Sequence, residues 1–182
     1  MPTVQEISAT IETFVTNHKA WTAPLMFLLA FGESMAFVSL ILPFWGILVA
    51  VGALREKLGL GFAPIWIAAS AGAALGDWLS YWLGWHYHEK IAKIWPLSKH
   101  PDLLPKGHEF FEKWGVWAIV LGRFSGPFRA SIPIVAGTVQ MPSLQFQIAN
   151  WASAFLWAGV LLVFGDVIGA AIDWIWRLFT GK

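Results

Sequence analysis

The sequence predicts an all-α membrane protein: two re-entrant helical hairpins plus spanning helices in an inverted-repeat arrangement, with amphipathic interfacial helices. Three observations predict it. Apolar and aromatic residues make up 57% of the chain and charged residues only 13%, where a soluble domain carries about 25% charge. The apolar run from Pro24 to Leu54 would be roughly 46 Å long as one helix, against a hydrocarbon core of about 30 Å. A second apolar run, Val116 to Val139, contains Arg123 and Arg129 together with Pro127, Pro133, Gly122, Gly126 and Gly137, a composition that breaks a plain spanning helix.

One membrane domain, 1–182, accounts for the whole chain. Residues 1–20 open with the capping-box pattern Thr3-Val4-Gln5-Glu6. Val4, Ile7, Ile11, Phe14 and Val15 then recur at helical spacing, which predicts an amphipathic helix in the interface or packed on the membrane domain. No basic segment leads into an apolar stretch and cleavage site, so no cleaved signal peptide is expected.

Residues 24–54 form the first hairpin. Pro43 and Gly46 fall where a turn is needed, leaving arms of about 19 and about 11 residues, the second too short to span. Glu33 lies in the first arm. Residues 62–84 are long enough to cross. Gly72, Gly76, Ser80 and Gly84 form a small-residue ladder that admits a close helix, within one chain or from a second copy as a homo-oligomer. Asp77 sits at membrane depth, and Trp78, Tyr81, Trp82, Trp85 and Tyr87 mark the far interface.

Residues 86–115 are the main polar stretch, with Pro96, Pro101 and Pro105 dividing it into a helix, a turn and a second amphipathic helix. The second hairpin follows at 116–139. A second span covers 146–171, with Asn150 in its first turn, Gly165-Asp166 near its end, and Trp174, Trp176 and Arg177 as an interfacial end. The halves rhyme at Leu42-Pro43 against Ile132-Pro133 and at Gly76-Asp77 against Gly165-Asp166, an inverted repeat of the kind found in secondary transporters. In that topology Lys19, Arg55, Lys57, Arg177 and Lys182 lie on one side and Lys90, Lys93, Lys99, Lys106 and Lys113 on the other. Orientation therefore stays open.

Composition excludes several chemistries. The chain has no Cys, which removes disulfides, thiolate metal sites and Cys catalysis. A net charge of +1 gives no signal for nucleic acid. His18, His86, His88, His100 and His108 all fall in polar segments. The two-residue spacing of His86 and His88 suits a strand better than a helix, and no third ligand is evident, so no metal is expected. No nucleophile motif lies at membrane depth, so the chain reads as no enzyme and as needing no cofactor.

The candidate site is the charge in the apolar runs. An arginine near the centre of a membrane helix costs about 2.5–3.5 kcal/mol on insertion scales. It can snorkel to headgroups from a helix end, or it can serve an anion inside the membrane. A buried carboxylate neutralises, but an arginine must find a partner. The simplest arrangement sets Glu33 against one arginine and leaves the other for a phosphate, held in bidentate fashion. The proline and glycine breaks at Pro43, Gly126, Pro127 and Pro133 would add backbone N–H groups at helix ends.

Gly122-Arg123-Phe124 with Pro127 and Arg129, then Pro133 and Ala136-Gly137, resembles the DedA family of bacterial SNARE-associated, VTT-type membrane proteins. Phe31-Gly32-Glu33-Ser34 leading to Leu42-Pro43, and Gly76-Asp77 with Tyr81 and Gly84, support the resemblance from about residue 30 to 170. It implies a multi-pass protein of the cytoplasmic membrane that moves lipid: undecaprenyl phosphate, or a phospholipid such as phosphatidylethanolamine, with protons as coupling ion. It implies Glu33 as the essential acid and Arg123 and Arg129 as the essential arginines. A proton-coupled small-solute transporter is the other class considered. Where many members carry a second acid after the hairpin proline, this chain reads Pro43-Phe44-Trp45, which leaves Asp77 as the acid available to substitute as proton carrier.

Overall fold

The computed structural model describes residues 19–35, 44–55, 58–88, 103–125, 129 and 131–180. Most of the expected 1–20 helix lies outside the described residues, as do Pro43, Gly126, Pro127 and His100 and the side chain of Trp45. Among the described residues there are seven helices and no strand: α1 Lys19–Ser34, α2 Phe44–Leu54, α3 Phe62–His86, α4 Leu103–Trp114, α5 Val116–Arg123, α6 Ser131–Thr138 and α7 Ser143–Thr180.

Two helices are long and apolar enough to cross a membrane, α3 over its 25 residues and α7 over Ser143–Ala171. The first is about 38 Å long at 1.5 Å per residue. It starts after Gly61 in extended conformation, with Pro64 in its first turn, where a missing N–H costs nothing. The second starts at Ser143 and runs to Thr180, past the end expected at residue 171, so the Trp174 segment continues the helix. Because the helix starts at Ser143, Asn150 sits at the end of its second turn.

The remaining helices are short. The 11 residues of α2 and the 8 each of α5 and α6 reach about 17 and 12 Å, below the thickness of a hydrocarbon core. The α1 helix starts at Lys19, earlier than the apolar run, and carries Pro24 inside it. Pro133 lies in the first turn of α6 and Gly46 in the first turn of α2. A first-turn position gives up no helical hydrogen bond, so α6 accommodates Pro133 without a break. Gly115 takes φ +51° and donates its N–H to the Phe111 carbonyl at 2.8 Å, which ends α4 and redirects the chain into α5.

The arms are shared between the spans. The first-hairpin arm α1 packs on α3 and its partner α2 on α7, whereas α5 packs on α7 and α6 on α3. Glycine permits three of these crossings, α1–α3, α3–α6 and α2–α7. A Cβ at Gly72 or Gly76 would overlap the Phe27 or Phe31 carbonyl of α1. Gly84 of α3 meets Gly137 of α6, and Gly52 of α2 meets Gly165 of α7, each against the other helix's backbone. The small-residue ladder thus packs two neighbours inside one chain. By these contacts the residue that stands as Gly165 does is Gly84, not Gly76, so Asp77 and Asp166 do not correspond.

The spans run antiparallel and are fixed by polar contacts through a small-residue core. Trp66 Nε1 donates to the Phe155 carbonyl at 2.8 Å, and Asn150 Nδ2 donates to the Ala74 carbonyl at 2.8 Å. Ala69, Ala73, Ala154, Ala158 and Leu162 pack between them with no exposure. Tyr81, expected at the interface, is buried instead. Its ring stacks on Phe146 at 4.1 Å, and its hydroxyl donates to the Met141 carbonyl at 2.6 Å. Trp78 and Trp82 of the same helix do face outward.

Candidate functional site

Ala74 is the middle residue of α3, about 18 Å from either end. Around this level four charged side chains come together from different elements. Glu33 is at the end of α1, Asp77 on α3, Arg123 at the end of α5, and Arg129 in the segment between α5 and α6. Their side chains are between 3% and 9% exposed. Such burial of charge is tolerated only with partners and further hydrogen bonds.

Two ion pairs result. Arg129 Nη1 lies 3.2 Å from Glu33 Oε1, and Arg129 Nη2 donates to Ser34 Oγ at 3.1 Å. The Arg129 guanidinium also sits over the Trp157 ring, 4.3 Å from its centroid. Arg123 Nη2 pairs with Asp77 Oδ2 and donates to Asn150 Oδ1 at 2.5 Å, while its Nε donates to Ser153 Oγ at 3.0 Å. Asn150 in turn holds α3 through Ala74, and Ser153 Oγ donates to the Asn150 carbonyl at 3.1 Å.

The arrangement keeps part of the sequence expectation and corrects the rest. Glu33 does meet one arginine. The other is not left free, because Asp77 meets it. Counting Glu33, Asp77, Arg123 and Arg129 in their ionised forms, two negative and two positive charges sum to zero. Asp166 takes no part. It accepts from Arg55 Nε at 3.1 Å and Nη2 at 2.9 Å, a bidentate pair joining the end of α2 to α7.

Space is small. A cavity of about 10 Å³ is lined by Met26, Leu29, Ala30, Glu33, Leu48 and Trp157. A second of about 10 Å³ is lined by Asp77, Ile119, Arg123, Arg129, Ile132 and Pro133. Each has room for about one water. Arg123 Nη1 is buried without a hydrogen-bond partner. The site is therefore closed to anything as large as a phosphate group. Outside it, exposed sides of α3 and α7 form an open apolar groove of about 590 Å³ along Trp66, Phe155, Leu156, Gly159, Val160 and Val163. No group of three or more His, Asp or Glu able to hold a metal forms among the described residues.

Sequence reasoning missed Ser153 and Trp157 and saw Asn150 only as a first-turn residue. A signal existed. Asn150, Ser153 and Trp157 recur at i, i+3 and i+7, which puts them on one face of α7. An amide and a hydroxyl on one face of an apolar helix need a buried partner.

Residues 42–167 match the VTT domain. The chain is 35% identical to inner membrane protein YabI of Escherichia coli over 92% of its own length and 66% of that protein's. It is 33% identical to uncharacterized membrane protein BU139 of Buchnera aphidicola, over 89% of the chain and 63% of the relative. With inner membrane protein YqjA of Escherichia coli it shares 30% identity, over 80% of the chain and 66% of the relative. The chain thus spans a little under two thirds of the length of these relatives. No solved structure matches it.

Proposed function

The chain belongs to the VTT-domain (DedA) family of membrane proteins, and from that premise we propose that it is a lipid transporter of the bacterial inner membrane. The observation that carries the reading is the pair of buried ion pairs, Glu33–Arg129 and Asp77–Arg123, side by side midway along α3. Intramembrane charges kept at such expense mark pathways and binding sites. Two guanidiniums within one site suit a phosphate headgroup. The lipid tail stays outside, against the apolar faces of α3 and α7.

The same reading assigns the short arms to re-entrant hairpins and the two halves to an inverted repeat. Its support is the sharing of arms, since each hairpin rests one arm on its own span and one on the other. Rocking one hairpin would open the site to one side. Because the four charges sum to zero, an anion that enters is balanced when an acid takes up a proton. That makes protons the coupling ion, with Glu33 and Asp77 as carriers.

Undecaprenyl phosphate is the proposed substrate, because its small, doubly ionisable headgroup matches two arginines. A phosphatidylethanolamine-type phospholipid is the alternative lipid. The test is reconstitution into vesicles with labelled lipids, measuring headgroup movement for wild type, Arg123→Ala and Arg129→Ala. The expected result is fast movement by wild type, lost in both variants. If both lipids cross no faster than in empty vesicles, the proposal fails.

A further inference from the structure

The two arginines are held in different ways. Arg123 is bound to both spans at once, to Asp77 on α3 and to Asn150 and Ser153 on α7. If it moved, Asn150 and Ser153 would lose their partner in a buried place, which is costly. Arg129 makes no hydrogen bond to either span among the described residues. Among the described residues it meets Glu33 and Ser34, both at the end of α1, and the face of Trp157 on α7.

The Trp157 contact differs in kind from a hydrogen bond. A cation over an indole face is attracted by the ring quadrupole, and the attraction grows when the pair is desolvated, as it is here with Trp157 only 5% exposed. It consumes none of the N–H donors, which lie in the guanidinium plane. Trp157 can therefore hold Arg129 in place whichever acceptor lies at its edge. Arg129 also stands between the two small cavities. Trp157 and Glu33 line one, and Arg129 itself lines the other with Asp77 and Arg123.

We propose that Arg129 is the arginine that exchanges its carboxylate for the lipid phosphate, that Trp157 is the positioning residue on which it makes the exchange, and that Arg123 is a fixed scaffold. This rests on the lipid-transport reading and divides its labour. Exchange at Arg129 replaces Glu33 by a phosphoryl oxygen without moving the guanidinium. Arg123 contributes only Nη1, the one guanidinium nitrogen without a hydrogen-bond partner among the described residues. Trp157 would thus set affinity for the headgroup without forming any bond to it.

The experiment uses the full chain in phosphatidylcholine vesicles carrying rising mole fractions of a polyprenyl monophosphate. Headgroup arrival is read by an external phosphatase. Trp157→Leu is expected to raise the half-saturating lipid fraction about tenfold, with the maximal rate within about twofold of wild type. Trp157→Phe, which keeps a ring, should restore it to within about threefold. Equal half-saturation in wild type and Trp157→Leu would overturn the proposal, as would equal impairment by Leu and Phe. If the Leu variant does not fold, the Phe and Tyr variants still decide: each should raise half-saturation by up to about threefold with the maximal rate within about twofold of wild type, and a fall in maximal rate at unchanged half-saturation would overturn the proposal. An assay without transport adds a second decision. Arg123→Lys should lower the melting temperature of the solubilised protein more than Arg129→Lys does, and the reverse order would overturn the scaffold assignment. Failure of wild type to move any lipid removes the transport reading itself and this inference with it, an outcome distinct from all of these.

Discussion

Asn150 accepts from Arg123 through Oδ1 at 2.5 Å while its Nδ2 donates to the Ala74 carbonyl at 2.8 Å, so one amide ties the buried charge of α5 to the backbone of α3. Both ends of the amide are used, and the residue has no exposure. Asn150→Leu keeps the volume but orphans a guanidinium donor and removes the second hydrogen bond of the Ala74 carbonyl. The orphaned donor alone costs about 1–3 kcal/mol. Thermal melting of the solubilised protein should show a clear drop for this variant. A melting curve like the wild type's would mean that the amide is not holding the spans together.

The two acids should respond differently to neutralisation. Glu33→Gln keeps an oxygen for Arg129, which also retains Ser34 and Trp157. Its abundance and melting temperature should fall less than those of Asp77→Asn, because Arg129 keeps these contacts, while lipid movement is lost. Asp77→Asn unbalances a pair built into both spans. Removing one partner of such a buried pair costs up to about 3–5 kcal/mol, so its abundance should fall. Abundance as low for Glu33→Gln as for Asp77→Asn would make the Glu33–Arg129 pair a structural clamp. Membrane abundance by quantitative blotting and melting temperature measure both cases.

Glycine positions separate into close crossings and open ones. A methyl at Gly84 or Gly165 would overlap the carbonyl of Ile134 or Val49, backbone that cannot give way. A methyl at Gly46 meets nothing within 4 Å among the described residues. Gly84→Ala and Gly165→Ala should therefore force α6 or α2 off its span and lower stability. Gly46→Ala should be neutral or stabilising by up to about 1 kcal/mol, from helix propensity alone. Equal melting temperatures for all three variants would show that the crossings are looser than they stand here.

Much of this was legible before any coordinates. Hydrophobic run lengths gave the two spans and the short arms, because a bilayer fixes how long a crossing helix must be. Charges in those runs pointed to Glu33, Arg123 and Arg129, because hydrocarbon makes each of them expensive. What stayed hidden was pairing. Nothing in the sequence says that Asp77 takes Arg123 and leaves Glu33 to Arg129, since that depends on which face of α3 meets α5. Tyr81 was misplaced for a related reason. An interfacial residue type near the end of a span is read as a belt residue, yet α6 and α7 cover that end. The rhyme of Gly76-Asp77 with Gly165-Asp166 misled as well, because helices cross where backbones touch, and Gly84 is the glycine that does so.

The re-entrant topology makes a prediction about sides. If both hairpins enter and leave on one face, the start of α1 and the start of α3 share a face. The end of α4 and the start of α7 then share the opposite one. The chain has no cysteine, so single substitutions report position without background. Ala20, Ala63, Lys113 and Ser143 are exposed positions near these four points. In sealed right-side-out vesicles, an impermeant maleimide should treat Ala20→Cys and Ala63→Cys alike. It should treat Lys113→Cys and Ser143→Cys alike in the opposite sense. Labelling of Ala20→Cys and Ala63→Cys from different sides would mean that the first hairpin crosses the bilayer. The inverted repeat would then fall, while the charge cluster at Glu33, Asp77, Arg123 and Arg129 would keep its geometry and need another route for its ligand.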